Sequence, residues 1–429
     1  MTDTAGWAGH PRGLSTLFFT EMWERFSYYG MRAFLILYMV HALGFDDRHA
    51  GAVYGTYTGS VWFAAIFGGI LADRWLGHYR SVLLGGIIIA LGHFTLAFHA
   101  LPFFYTGLSL IVVGTGLLKP NVSTLVGSLY EQGDARRDAG FSIFYMGINL
   151  GAFLGPIIAG YLAQQVDWHL GFACAGVGMT LGLVQYVAGR RRLEGGMARL
   201  AARPDATVAD PPESALTAAD WKRMAAVVVF FLFATLFWGA YEQAGSTLNL
   251  FADRYVRLEL LGIKLYASWF VSIQALFVIL LAPVFAWLWL RLGPRQPSSP
   301  AKFALALLIV GLAFLLLAPA GAMAQGGVKV SPLWLVAAYF VEELGELSLS
   351  PVGLSLVTKL APSRVVGAMM GVWFLSNAFG NKLAGWAAGF ISSLPLPILF
   401  GWVAAVCLVA ALVMALLIKP VRALMGGVR

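Results

Sequence analysis

Apolar residues come in long runs separated by short polar stretches. The runs lie near 14–42, 50–73, 80–100, 103–129, 140–163 and 170–189, then near 223–250, 265–290, 302–320, 332–358, 365–391 and 395–418. A helix of about 20 residues, rising ~1.5 Å each, crosses a bilayer. The pattern therefore predicts an all-α membrane protein with about twelve transmembrane helices in two groups of six. Between the groups, Arg190 to Asp220 is too polar to span; it holds Arg203-Pro204-Asp205 and Pro211-Pro212-Glu213. It reads as a linker, partly helical or mobile. The expected organisation is a six-helix bundle over 1–189, a cytoplasmic linker over 190–222 and a second bundle over 223–429.

The first run breaks its own pattern. Phe18 to Met39 is long enough to span, yet it carries Glu21, Glu24, Arg25, Tyr28, Tyr29 and Arg32. These positions recur at offsets 0, 3, 4, 7, 8 and 11, which is one face of an α-helix. A charge facing lipid at the bilayer centre costs roughly 2.5 to 3.5 kcal/mol on insertion scales. The stripe is expected to face a water-filled cavity or partner charges.

Composition agrees with the membrane reading: 59% of the 429 residues are hydrophobic and 12% charged. A soluble domain carries about 25% charge. The first 13 residues are polar and the first apolar run is of full length, so no cleavable signal peptide is expected. Cys174 and Cys407 lie inside apolar runs and read as packing residues, too few for a structural zinc site. The net charge of +8 suggests a nucleic-acid partner only until the charges are placed by loop. With the N-terminus inside, about 20 Lys and Arg fall in cytoplasmic segments and about five outside. Topology accounts for the excess; both termini are expected in the cytoplasm, and no nucleic acid is expected as a partner.

Other ionisable residues inside the runs are few: Lys119, Glu242, Glu342, Glu343, Glu346 and Lys382. Such residues pair with one another or mark ion and substrate paths. Arg25 and Lys119 lie about 16 and 15 Å from the inner face, so Glu21, Glu24, Arg25 and Lys119 are expected to cluster. Arg32 and Glu242, about 27 and 28 Å up, match in depth on opposite halves and would form an outer gate. Glu346, mid-helix in the second half, gives the cavity an acidic wall opposite the basic one. A short peptide, positive at one end and negative at the other, suits that arrangement. Lys382 is expected to snorkel, Glu342 and Glu343 to face an outer vestibule, and His93 and His99 to pack or reach the interface.

The loop Gly68 to Arg80, GGILADRWLGHYR, resembles the cytoplasmic loop signature of the major facilitator superfamily, and Trp289 to Pro297 reads as its degenerate second copy. More specific stretches resemble the proton-dependent oligopeptide transporter family of that superfamily. These are Glu21-Met22-Trp23-Glu24-Arg25, GLLKPN (Gly116 to Asn121), FSIFYMGINLGAFLGP (Phe141 to Pro156), FWGAYEQAG (Phe237 to Gly245), GELSLSPVGLSLVTKLAP from Gly345, and MMGVWFLSNAFGN with Trp373.

The resemblance implies the superfamily fold and roles for individual residues. Arg25 and Lys119 are then the carboxylate-binding pair, and Glu346 and Asn149 the amino-group anchors. Glu21 and Glu24 are the proton-coupling carboxylates, with Arg25 and Lys119 in the same switch. Tyr28, Tyr29, Tyr57 and Trp373 line the cavity, joined on the substrate-binding side by Trp238, Gln274 and Asn377. Arg32 and Glu242 form the gate. Three features depart from the family pattern: Gly55 stands where mammalian-type members have a histidine, Gln274 where an asparagine is usual, and no extra helices separate the halves. The implied protein is a bacterial inner-membrane symporter that imports di- and tripeptides with protons by alternating access. The proton is the coupling ion, no other cofactor is implied, and the protein is expected to be monomeric. The alternatives are a carrier of another small solute such as nitrate, or a peptide receptor without flux. No HExxH zinc motif and no nucleophile–base pairing point to an enzyme.

Overall fold

In the computed structural model, which describes residues 6–131, 133–202, 216–362 and 365–426, the apolar runs are helical. In order they are α1 (Gly13–His41), α2 (Asp47–Leu71), α3 (His78–Leu96), α4 (Leu101–Ser128), α5 (Arg137–Gln165) and α6 (Trp168–Ala188). A short α7 (Glu194–Ala201) lies in the linker. Then come α8 (Ala218–Tyr241), α9 (Thr247–Tyr255), α10 (Phe270–Leu292), α11 (Ser299–Gln325), α12 (Leu333–Leu360), α13 (Val366–Ala388), α14 (Leu396–Leu416) and α15 (Ile418–Leu424). Among the described residues, nine helical segments are long and apolar enough to cross a membrane. Of the three other long helices, α1 and α12 carry several charges, while α13 has only Lys382 beside Ser376, Asn377 and Asn381. Low hydropathy on α1 and α12 thus coincides with the charges that the sequence pattern singles out for chemistry.

Local chemistry sets the ends. Asp167 caps α6, its side chain accepting from the His169 backbone N–H, and Thr217 with Asp220 forms a full capping box at the start of α8. In the superfamily-like loop, α2 runs into a π-helical turn, Ala72–Leu76, closed by Gly77 at φ 73, a left-handed position that favours glycine. The linker is helical over α7, where Arg199 donates to the carbonyls of Ser128 and Leu129. The proline-rich remainder of the linker lies outside the described residues.

Two features were not visible in the hydropathy pattern. The seventh run is not one helix: α8 stops at Tyr241, a 3-10 turn spans Glu242–Gly245, and α9 resumes at Thr247. Between α9 and α10 a two-stranded hairpin pairs Glu259–Leu260 with Ile263–Lys264. Its turn residues Leu261 and Gly262 both have positive φ.

The helices form two compact units: Met1–Arg32 with Ser60–Ala215, and Ala33–Gly59 with Leu216–Arg429. This grouping differs from a division at the linker alone, because α1 after Arg32 and α2 up to Gly59 pack in the second unit. Glycine explains the packing there. A Cβ at Gly51 would lie 2.3 Å from the Gly385 carbonyl oxygen, and one at Gly55 would lie 2.9 Å from that of Asn381. Side chains at these α2 positions would force α13 away. Cys174 and Cys407 are free thiols, half-buried and buried.

Candidate functional site

In the first unit the site begins with three glycines one helical turn apart on α5. Gly147, Gly151 and Gly155 lie against Phe18, Met22 and Phe26 of α1; a Cβ at Gly151 would sit 2.2 Å from the Met22 carbonyl oxygen and 3.0 Å from the Arg25 Cβ. The glycines of the FSIFYMGINLGAFLGP stretch thus bring α1 close and fix the height of its charge stripe. Arg25 is only 2% exposed and Glu24 not at all. The Arg25 guanidinium grips Glu24 through two nitrogens: Nε donates to Oε2, and Nη2 donates to Oε1 at 2.5 Å. Glu21, one turn back, lies 3.4 Å from the same Nε. The charged head also rests over the rings of Tyr28 at 5.0 Å and Tyr29 at 5.8 Å. A bidentate pair in low dielectric is strong and geometrically specific.

Lys119, on α4, sits 3.3 Å above the centroid of the Trp62 ring and acts electrostatically on Glu21. Of the four residues expected to cluster by depth, Glu21, Glu24 and Arg25 meet directly and Lys119 acts on Glu21, with Trp62 as a neighbour that sequence reasoning missed. Asn149 is buried, its side chain donating to the Tyr145 carbonyl at 2.9 Å. Arg32, also buried, lies over Tyr29 at 5.9 Å.

The second unit holds a group of buried acids. Glu342, Glu343 and Glu346 of α12 are all buried, the first two completely. An outer vestibule was expected for Glu342 and Glu343; instead both face neighbouring helices. Gln274 of α10 donates to Glu342 Oε2 at 3.1 Å, and the Tyr241 hydroxyl of α8 donates to Glu343 Oε1 at 2.7 Å. Gln274 thus meets a carboxylate, a contact the sequence did not reveal. Glu346 lies close enough to Glu343 to act on it electrostatically.

Aromatic residues enclose this region. Trp238 packs on Tyr241, with centroids 5.5 Å apart, and its buried Nε1 makes no hydrogen bond among the described residues. Trp373 packs at 6.2 Å from Phe303 and against Gly353, where a Cβ would collide with its ring at 2.2 Å. Tyr57 and Asn377 are buried, and Asn377 accepts from Asn381 through its backbone carbonyl. Glu242, buried as well, opens the 3-10 turn that interrupts the seventh span. Lys382 is exposed and donates to Thr56 Oγ1, a partner that simple snorkelling did not suggest.

At the ends of α1 and α2 an unexpected network appears. Arg254 of α9 holds both Asp47 oxygens, at 2.5 and 2.8 Å, and reaches Ser392 at 3.0 Å; nearby, His41 meets Asp253 at 2.8 Å. These residues are far apart in sequence, and the approach of α9 pairs them.

Comparison with known proteins supplies the lineage. The family described as PTR2, POT family, matches residues 79–195 and 207–402. The chain is 41% identical to the uncharacterized transporter YclF of Bacillus subtilis (strain 168), over 99% of this chain and 96% of that one. It is 37% identical to the peptide transporter YePEPT of Yersinia enterocolitica, over 99% and 98%. It is 34% identical to a di-/tripeptide transporter of Lactococcus lactis subsp. cremoris, over 98% of each. A crystal structure of a peptide transporter POT in complex with sulfate superposes with a TM-score of 0.90 at 40% identity, covering 99% of this chain and 98% of that one. The fold is that of the major facilitator superfamily, in a multi-pass membrane protein. Matched by one family model in both its halves, and by relatives along almost its whole length, this chain belongs to the POT family.

Proposed function

We propose that the protein is a proton-coupled importer of di- and tripeptides in the inner membrane, with both termini cytoplasmic, working as a monomer by alternating access. The observation that carries this reading is the Glu21, Glu24, Arg25 and Lys119 group. It combines two acids and two bases, is largely withdrawn from water, and is balanced within itself. Relatives named as peptide and di-/tripeptide transporters support the substrate class. The roles follow from charge. Arg25 and Lys119 take the peptide carboxylate; Glu346 and Asn149 take its amino group. Tyr28, Tyr29, Tyr57, Trp238, Trp373, Gln274 and Asn377 shape the remainder of the binding region.

Coupling follows from competition. A peptide carboxylate arriving at Arg25 and Lys119 draws them from Glu21 and Glu24. A buried carboxylate deprived of its cation takes up a proton, because desolvation disfavours its charged form. Peptide and proton then promote each other's binding, as linkage requires. The proton is the coupling ion and no other cofactor is invoked.

The test is uptake of a radiolabelled dipeptide panel, with nitrate as a comparison solute, into liposomes holding the purified protein. Accumulation of dipeptide above its outside concentration, dependent on an inward proton gradient, is the expected result. Peptide binding without flux would identify a receptor, and uptake of nitrate alone would overturn the substrate assignment.

A further inference from the structure

The first unit carries a second cluster of chemistry-bearing side chains, at the end of the bundle where α3 turns into α4 and α5 into α6. Its position follows from helix packing. Helices α3 and α6 run antiparallel in contact: Gly86 faces Met179 and Leu183, and further along Gly176 faces the ring of Phe94. Continuing the same register brings His99, just beyond α3, to His169 in the first turn of α6. The two imidazole rings stack with centroids 3.7 Å apart and planes inclined by 29°. Asp167, the cap of α6, completes the group, with Oδ1 2.8 Å from the His169 backbone nitrogen and 3.2 Å from its Nδ1. One ligand atom from each of the three lies within 4.8 Å of the others. His99 and Asp167 are exposed and His169 half-buried.

We propose that His99, Asp167 and His169 form a binding site for a divalent transition metal of the zinc class, joining the α3–α4 turn to the α5–α6 turn. Two imidazoles and one carboxylate are the donor set that zinc and its neighbours in the first row prefer; magnesium and calcium take oxygen ligands. Zinc binds such ligands at about 2.0 to 2.2 Å, which puts tetrahedral donor atoms about 3.4 Å apart. The Asp167–His169 separation already matches, and turning the exposed His99 ring supplies the third donor. The fourth position, open toward solvent, is left for water. Because the donors come from two turns, a bound ion cross-links them.

Zinc chloride titrated calorimetrically into the chelator-treated full-length protein at neutral pH tests the site, with thermal unfolding recorded in parallel. One saturable equivalent and a rise in Tm are expected, with no comparable binding of magnesium or calcium. His99→Ala, at an exposed turn, should weaken zinc at least about tenfold. So should Asp167→Asn, which removes the anionic ligand yet keeps a residue able to cap α6, so its Tm without metal should match wild type. The control His49→Ala should bind zinc as wild type does. Absence of a saturable zinc isotherm, equal affinity in His99→Ala and wild type, equal binding of calcium, or loss in the His49→Ala control would each overturn the assignment.

Discussion

The α1 cluster and the α12 cluster both bury carboxylates, but by different means. On α1, Glu24 meets a guanidinium in a two-pronged pair and Glu21 shares the same cation. On α12, Glu342 and Glu343 are held by neutral donors, the Gln274 amide and the Tyr241 hydroxyl. Charge is balanced locally in the first case, so an incoming anion must compete for a cation already engaged. In the second, hydrogen bonds position the carboxyl groups without neutralising them. The first arrangement suits a switch that exchanges partners; the second suits reception of an incoming positive group, the role proposed for Glu346.

The largest expected difference between the two clusters is in stability. Arg25→Met keeps much of the side-chain bulk but leaves Glu21 and Glu24 buried without their cation. Breaking a buried ion pair from one side costs about 3 to 5 kcal/mol. Thermal unfolding of the purified protein should show a large drop in Tm. A loss no greater than that of Glu343→Gln would mean that the α1 cluster is not the balanced pair described.

Next in size are the transport phenotypes within the α1 cluster. Lys119→Ala should abolish both proton-driven uptake and peptide-for-peptide counterflow, since it removes a proposed carboxylate anchor. Glu24→Gln mimics the proton-bound state, so gradient-driven uptake should vanish while some counterflow survives. Concentrative uptake by Glu24→Gln at the wild-type level would remove Glu24 from the coupling step.

On α12, Glu346→Gln removes charge with little change of shape. A hydrogen bond to a charged group is worth about 1.5 to 3 kcal/mol, so dipeptide affinity should fall about tenfold or more. An N-acetylated dipeptide, lacking the positive amino group, should lose less. Equal losses for both ligands, read by calorimetry, would separate Glu346 from amino-group recognition.

The smallest effect is expected for Tyr241→Phe, which deletes the neutral donor to Glu343. One such bond contributes about 1 kcal/mol net, with a further cost if the acceptor stays unpaired. A Tm change rivalling that of Arg25→Met would show that the Glu343–Tyr241 contact matters as much as the ion pair.

The reach of sequence differs between these regions for a physical reason. Helical periodicity is local, so the stripe of Glu21, Glu24, Arg25, Tyr28, Tyr29 and Arg32 on one face was legible in the chain, and so were the apolar runs. Rise per residue is nearly constant, so the depths of Arg25 and Lys119 on separate helices could be compared along the chain. Lateral contact is another matter. Whether Glu343 meets Tyr241, Glu342 meets Gln274, Arg254 meets Asp47 or His99 meets His169 depends on how helices far apart in sequence rotate and pack. That rotation is set by close approaches, such as those at Gly151 against Met22 and Gly176 against Phe94. Hydropathy also misses the break at Glu242, because a 3-10 turn buried between two helical segments is as apolar in its surroundings as the helix it interrupts. The long apolar helices and the face of the charge stripe were written in the one-dimensional pattern. Partner choice among the buried polar groups came from packing in three dimensions, where contacts within a few ångströms decide which donor meets which acceptor.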